Sequence, residues 1–190
     1  MSGSSSAAED LSASSLRFPE ITDTRLHWFE PGARAFEIEP AVHHALCDNS
    51  SLTEKLVARA GSSFRVQRLE ECWQAVSDKS LRQQFGPIDE QHRFWSRKVL
   101  LHGNGEPWVL AHTLMPEHSA CSDLASILEL GDKPLGRFLF SQPQLLRANL
   151  QLVQTADQIM GRRSVFYLFS KPIMVAEFFT SAYLRELQGV

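Results

Sequence analysis

No apolar run in this chain approaches the roughly 18 residues needed to cross a bilayer as a helix, so a membrane span is not expected. The N-terminus, MSGSSSAAEDLSASS, lacks the basic start and apolar core of a secretory signal, and Glu9 and Asp10 precede any Lys or Arg, which fits a mitochondrial leader poorly. Cysteine is scarce. Cys47, Cys72 and Cys121 are odd in number, widely spaced and without a CxxC, which argues against a disulfide framework or a zinc knuckle and for reduced thiols in the cytoplasm. Neither sign of charge dominates: 19 Lys and Arg against 22 Asp and Glu leave a net charge of -3, too little positive potential for wholesale binding to nucleic acid or anionic membrane. A Gly-rich phosphate loop, GxSxG, HExxH and an acidic metal cluster are all missing.

What is present suits one globular domain. The 190 residues are 43% hydrophobic, enough for a full core. Residues 1–16, rich in Ser and Ala, read as a disordered tail, and residues 17–190 as the domain. Residues 17–40 mix aromatics with Pro19, Pro31, Gly32 and Pro40, an irregular segment packing on the body, and residues 41–46 suit a short helical turn. Adjacent His43 and His44 point apart on a helix or a strand and make a poor metal pair. A helix is expected from Leu52, after the capping cluster Asp48-Asn49-Ser50-Ser51, with Leu56 and Val57 at helical spacing and Gly61 at its end. Its first amides either receive a carboxylate or are capped by Ser50 or Ser51.

Residues 63–76 read as a strand. Residues 94–115 read as two strands around Asn104-Gly105, a type I′ turn that would set Leu101 against Trp108, Val99 against Leu110, Arg97 against His112 and Trp95 against Leu114. Arg97 is thereby a guanidinium on an apolar face, which calls for an anionic partner or a wet edge. Pro116 stops the second strand, residues 122–130 resemble a short helix, and residues 131–136 form a turn where amides near Leu135 and Gly136 are either exposed to a ligand or simply part of a connection. Residues 143–160 read as an amphipathic helix through Leu145, Leu146, Leu150, Val153 and Ile159, with Arg162 and Arg163 at its C-terminal dipole. In the last hairpin, around residues 170–172, Glu177 shares a face with Ile173, Val175 and Phe179 on a strand apolar on both sides. A carboxylate there is either paired with Arg97 or used on a ligand. An acid-binding group at one end of a pocket and a hydroxyl-binding group at the other would use both charges.

At these residues the chain resembles the chorismate pyruvate-lyase family, through FWSRKVLLHGNGEPWVLAHTLMP (94–116), LGDKPLGRFLF (130–140), GRRSVFYL (161–168) and SKPIMVAEFF (170–179). The resemblance spans about residues 48–184. It implies an α+β domain in which an antiparallel sheet carries helices on one side and helical flaps over a buried ligand site. It also implies release of pyruvate from chorismate to leave 4-hydroxybenzoate for ubiquinone synthesis, without metal or cofactor. The absent signals, reduced-looking cysteines and mild negative charge make a cytoplasmic protein without a nucleic-acid partner the expectation, and a monomer is expected. By position, Arg97 matches the family arginine on the ring carboxylate, the backbone at Leu52 and Leu135 matches amides touching that carboxylate, and Glu177 matches the glutamate at the ring hydroxyl. Arg97 and Glu177 are therefore the expected catalytic pair. His112 stands where the family often carries Arg, and opposite Arg97 it would make the local charge depend on pH. A non-catalytic aromatic-acid-binding domain of the same architecture is the alternative.

Overall fold

A computed structural model describes residues 19–33, 37–121 and 124–189. The expected tail, together with Phe36, Ser122 and Asp123, lies outside the described residues. Six strands form one antiparallel sheet in the order β1-β2-β3-β6-β5-β4: β1 Arg65–Gln74, β2 Phe94–Gly103, β3 Glu106–Pro116, β4 Leu146–Gln154, β5 Met160–Leu168 and β6 Lys171–Phe179. The helices are α1 Pro40–Cys47, α2 Leu52–Ala60, α3 Lys79–Gln83, α4 Glu117–Ala120, α5 Leu135–Phe140 and α6 Ser181–Gln188, giving an α+β architecture. Each sheet face is apolar, because β2, β3, β5 and β6 are central strands buried on both sides. Val99, Leu101, Val109 and Phe179 pack against α1, α2 and α6, while Trp95, Phe166 and Ile173 pack against α5 and the turn at Ala125–Glu129. Leu100, Leu110, Met174 and Phe178 meet Ile21, Trp28, Leu81 and Phe85 on the other face, so the helices stand mainly on one side, as expected.

Local chemistry explains the helix that frames the site. Ser51 in extended conformation accepts the Glu54 amide at 3.3 Å and caps α2, and Gly61 ends it at φ 55°, a left-handed value that glycine adopts without strain. The expected cap and stop are both borne out.

Two expectations fail. Residues 143–160 are not a helix: Leu146–Gln154 is the edge strand β4, paired with β5. A bulge between Ala148 and Gln151, with Asn149 at φ 53°, breaks the period of two, so a strand imitates helical spacing, and Leu146 ends 67% exposed rather than buried. Arg162 and Arg163 consequently belong to β5.

The second concerns the β2–β3 register. Asn104 and Gly105 do turn at φ 53° and 84°, but the ladder slips between Leu101 and His102. His102 pairs with Pro107 and Leu101 with Val109, leaving Trp108 as the extra residue, its ring lying over Gly103 where no Cβ obstructs it. One residue of slip turns each side chain to the opposite face. Arg97 therefore faces Thr113, and His112 faces Lys98.

Candidate active site

Arg97, Thr113, Val175 and Glu177 share the helix-bearing face of the sheet, and α2 and α5 close over them. Between them lies a cavity of about 40 Å3, lined among others by Thr53, Arg97, Leu135, Phe166 and Glu177. Arg97 on β2 and Glu177 on β6 are separated by β3, roughly 10 Å across the sheet at strand spacing, so the two do not pair with each other.

Each charge has its own partner. Arg97, 1% exposed, donates from Nε to Glu71 Oε1 at 2.9 Å and from Nη2 to the carbonyls of Gly131 at 2.6 Å and Lys133 at 3.1 Å. Its Nη1 has no partner among the described residues, which leaves two N–H donors for the cavity that Arg97 lines. Burial lowers the guanidinium from its ordinary value and the Glu71 carboxylate opposes that shift. The same hydrogen bonds fix the loop that leads into α5, where Leu135 is the first helical residue and its amide has no intrahelical acceptor.

Glu177 receives Arg162 Nε on Oε2 at 2.6 Å, while Oε1 has no hydrogen bond among the described residues. Arg162 is a site residue that sequence reasoning missed, since the expected helix at residues 143–160 gave it a dipole to neutralise. The register of β5 against β6 sets Arg162 directly opposite Glu177. Arg147 on β4 reaches the same turn at Asp48 as Arg162. It donates to Ser164 Oγ at 2.8 Å and to the Asp48 carbonyl at 2.9 Å, and burial and the nearby Arg162 lower its pKa to about 10.

Leu52 opens α2, as expected, and lines an outer pocket of about 500 Å3 shared with Lys55, Arg59, Arg162 and Tyr183, while Thr53 is the α2 residue that lines the inner cavity. Gly136 does permit a close approach, though of a helix: a Cβ there would stand 2.4 Å from Thr53 Oγ1, so α2 and α5 touch at this point.

His112 is absent from this site. It is 1% exposed on the opposite face, where Nδ1 accepts the Ile21 amide at 3.2 Å and Nε2 stands 3.0 Å from Ser96 Oγ. The expectation that it sits beside Arg97 is overturned by the slip in the ladder, and its task is to tie residues 19–29 to the sheet. Burial holds its pKa at about 3, with Lys98 also lowering it and Glu70 opposing; Lys98 is itself paired with Glu20 and Glu70. An acceptor Nδ1 must be unprotonated, so this histidine is neutral in the fold. An unfolded histidine titrates near 6.5, so the stability carried here is complete above that pH and declines as pH falls from 6.5 toward 3. By pH 5 the expected loss is about 2 kcal/mol, read from urea unfolding at pH 7 and pH 5. His112→Gln should remove that slope, and an unchanged slope would refute the assignment.

Among the described residues no group of three or more His, Cys, Asp or Glu is arranged to hold a metal ion, and no helix is long and apolar enough to cross a membrane.

An antiparallel sheet roofed by helices over a pocket, with a guanidinium and a carboxylate at its two ends, defines an α+β protein. The chain belongs to the chorismate lyase family, whose model matches residues 24–187. It is 36% identical over 107 residues to the chorismate pyruvate-lyase of Cronobacter sakazakii, covering 56% of this chain and 63% of that protein. It is 31% identical over 152 residues to the chorismate pyruvate-lyase of Salmonella newport, covering 78% of this chain and 90% of that protein. Among solved structures, PhnF from Mycobacterium smegmatis superposes with a TM-score of 0.51 at 14% identity, over 72% of this chain and 66% of that one, a likeness of fold alone.

Proposed function

We propose that this chain is a chorismate pyruvate-lyase that forms 4-hydroxybenzoate and acts as a cytoplasmic monomer without cofactor or nucleic-acid partner. The observation that carries the reading is the placement of Arg97 and Glu177 on one sheet face, at opposite sides of one closed cavity. Arg97, with the amides of Leu52 and Leu135, holds the ring carboxylate and stabilises charge drawn toward it as the ring reacts. Glu177, through its unengaged Oε1, receives the ring hydroxyl. The chemistry breaks the ether bond at ring C3 and the C–H bond at C4. The ring becomes aromatic, and the departing enolpyruvyl group gains a proton to become pyruvate. Aromatisation supplies the driving force, so the protein has to position and polarise rather than oxidise or reduce.

At about 40 Å3 the cavity has room for a few waters and not for a ring acid, so α2 and α5 separate at the Gly136–Thr53 contact to admit one. The test is incubation of the purified protein with chorismate, with and without a chelator, following pyruvate and 4-hydroxybenzoate separately. Equimolar release of the two is expected. Tight binding of 4-hydroxybenzoate with no turnover of chorismate would make the protein a ligand-binding domain instead.

A further inference from the structure

Arg97 and Arg162, both on the helix-bearing face, are built to one plan. Each offers Nε to a carboxylate and a terminal nitrogen to backbone carbonyls of a covering segment. Arg97 joins Glu71 to the carbonyls of Gly131 and Lys133, and Arg162 joins Glu177 to the carbonyls of Ala45 at 3.1 Å, Leu46 at 3.2 Å and Asp48 at 2.7 Å. The three carbonyls lie where α1 ends and the chain turns toward α2, an end rich in unsatisfied acceptors and favourable to a cation. The Asp48 carbonyl is shared with Arg147, which limits how far this turn can drift. Arg162 is only 3% exposed, and its forked guanidinium can satisfy a carboxylate and several carbonyls at once, which a single ammonium cannot.

Resting on the reading of Glu177 as the group that meets the ring hydroxyl, we propose that Arg162 is its positioning residue. By occupying Oε2 it leaves Oε1 as the acceptor for the ligand, and by gripping residues 45–48 it ties that orientation to the segment that leads into the pocket wall at Thr53. The consequence is specific. Losing Arg162 weakens recognition of the hydroxyl end of the ligand and spares the carboxylate end, which Arg97 holds from the far side of the cavity.

The experiment measures dissociation constants of benzoate and 4-hydroxybenzoate, which differ only in the hydroxyl, on the full chain and on Arg162→Met, Arg162→Lys, Glu177→Gln and the Arg162→Met/Glu177→Gln double variant. The wild type should prefer 4-hydroxybenzoate. Arg162→Met should lose at least tenfold of that preference with benzoate affinity changed less than threefold, Arg162→Lys should recover part of it, and the double variant should resemble Glu177→Gln alone. A fall in affinity for both ligands alike, or losses that multiply in the double variant, would overturn the proposal, because either means that Arg162 acts on the fold generally. If Glu177→Gln keeps the full preference, the reading of Glu177 fails first, and this result is distinct from one in which Glu177→Gln loses the preference and Arg162→Met retains it. Should Arg162→Met fail to fold, the comparison of Arg162→Lys with Glu177→Gln and their double variant decides the question on the same criteria.

Discussion

Arg97→Ala should lower kcat/KM for chorismate by roughly 100-fold or more, because in the proposed function it deletes the charged donor that holds the ligand carboxylate, and among the described residues lining the cavity no other side chain is cationic. The substitution also removes the buried partner of a half-buried Glu71, which keeps only the exposed Arg68, and leaves the carbonyls of Gly131 and Lys133 without this donor, a loss on the order of 3 kcal/mol in folding stability. Arg97→Lys separates the two effects. It keeps the positive charge and most of the buried stem, but one ammonium cannot reach Glu71, two carbonyls and a ligand together. Its stability should return close to wild type while kcat/KM stays at least tenfold down. Circular dichroism melts and steady-state kinetics on both variants read this directly, and unchanged kinetics in a folded Arg97→Ala protein would remove Arg97 from the site.

Glu177→Gln should reduce kcat at least tenfold with a smaller change in KM, the pattern of an interaction stronger in the transition state than in the ground state. Gln has nearly the same shape, and its oxygen can still accept from Arg162 Nε. Its amide nitrogen then takes the place of Oε1, so the ligand hydroxyl meets a donor where it had met a charged acceptor. A near-normal kcat in this variant would rule out proton transfer through Glu177 and leave it an orienting role only. Because the substitution changes one atom, a loss of activity with an unchanged melting temperature would assign the effect to chemistry rather than to folding.

Several elements were legible because the residues that determine them are neighbours in sequence. Ser51 and Gly61 bracket α2 through hydrogen bonds and dihedral angles within a few residues, and Asn104-Gly105 makes its turn for the same reason. Arg97 and Glu177 stood out as charges at apolar positions, and that anomaly survives even when the partner is misjudged. The β4 strand was misread because its bulge at Asn149 gives an edge strand the spacing of a helix, and only pairing with β5 resolves which period is real. His112 was misplaced by a single residue of slip at Trp108, which local pattern does not reveal, since the slip follows from a ring seated over Gly103.

Capping, turn chemistry and alternation act over short distances, so residues alone carried the start of α2, the turn at Asn104-Gly105 and the two unusual charges, while the α+β class followed from the family resemblance of four longer stretches. Tertiary structure alone decided which charges meet. Glu71 came to Arg97 from 26 residues away, Arg162 came to Glu177 across a strand pair, and the carbonyls of residues 45–48 came to Arg162 from more than 100 residues away. A buried guanidinium has five N–H groups to satisfy, and partners at such separations are fixed by how the sheet assembles, not by the residues beside it.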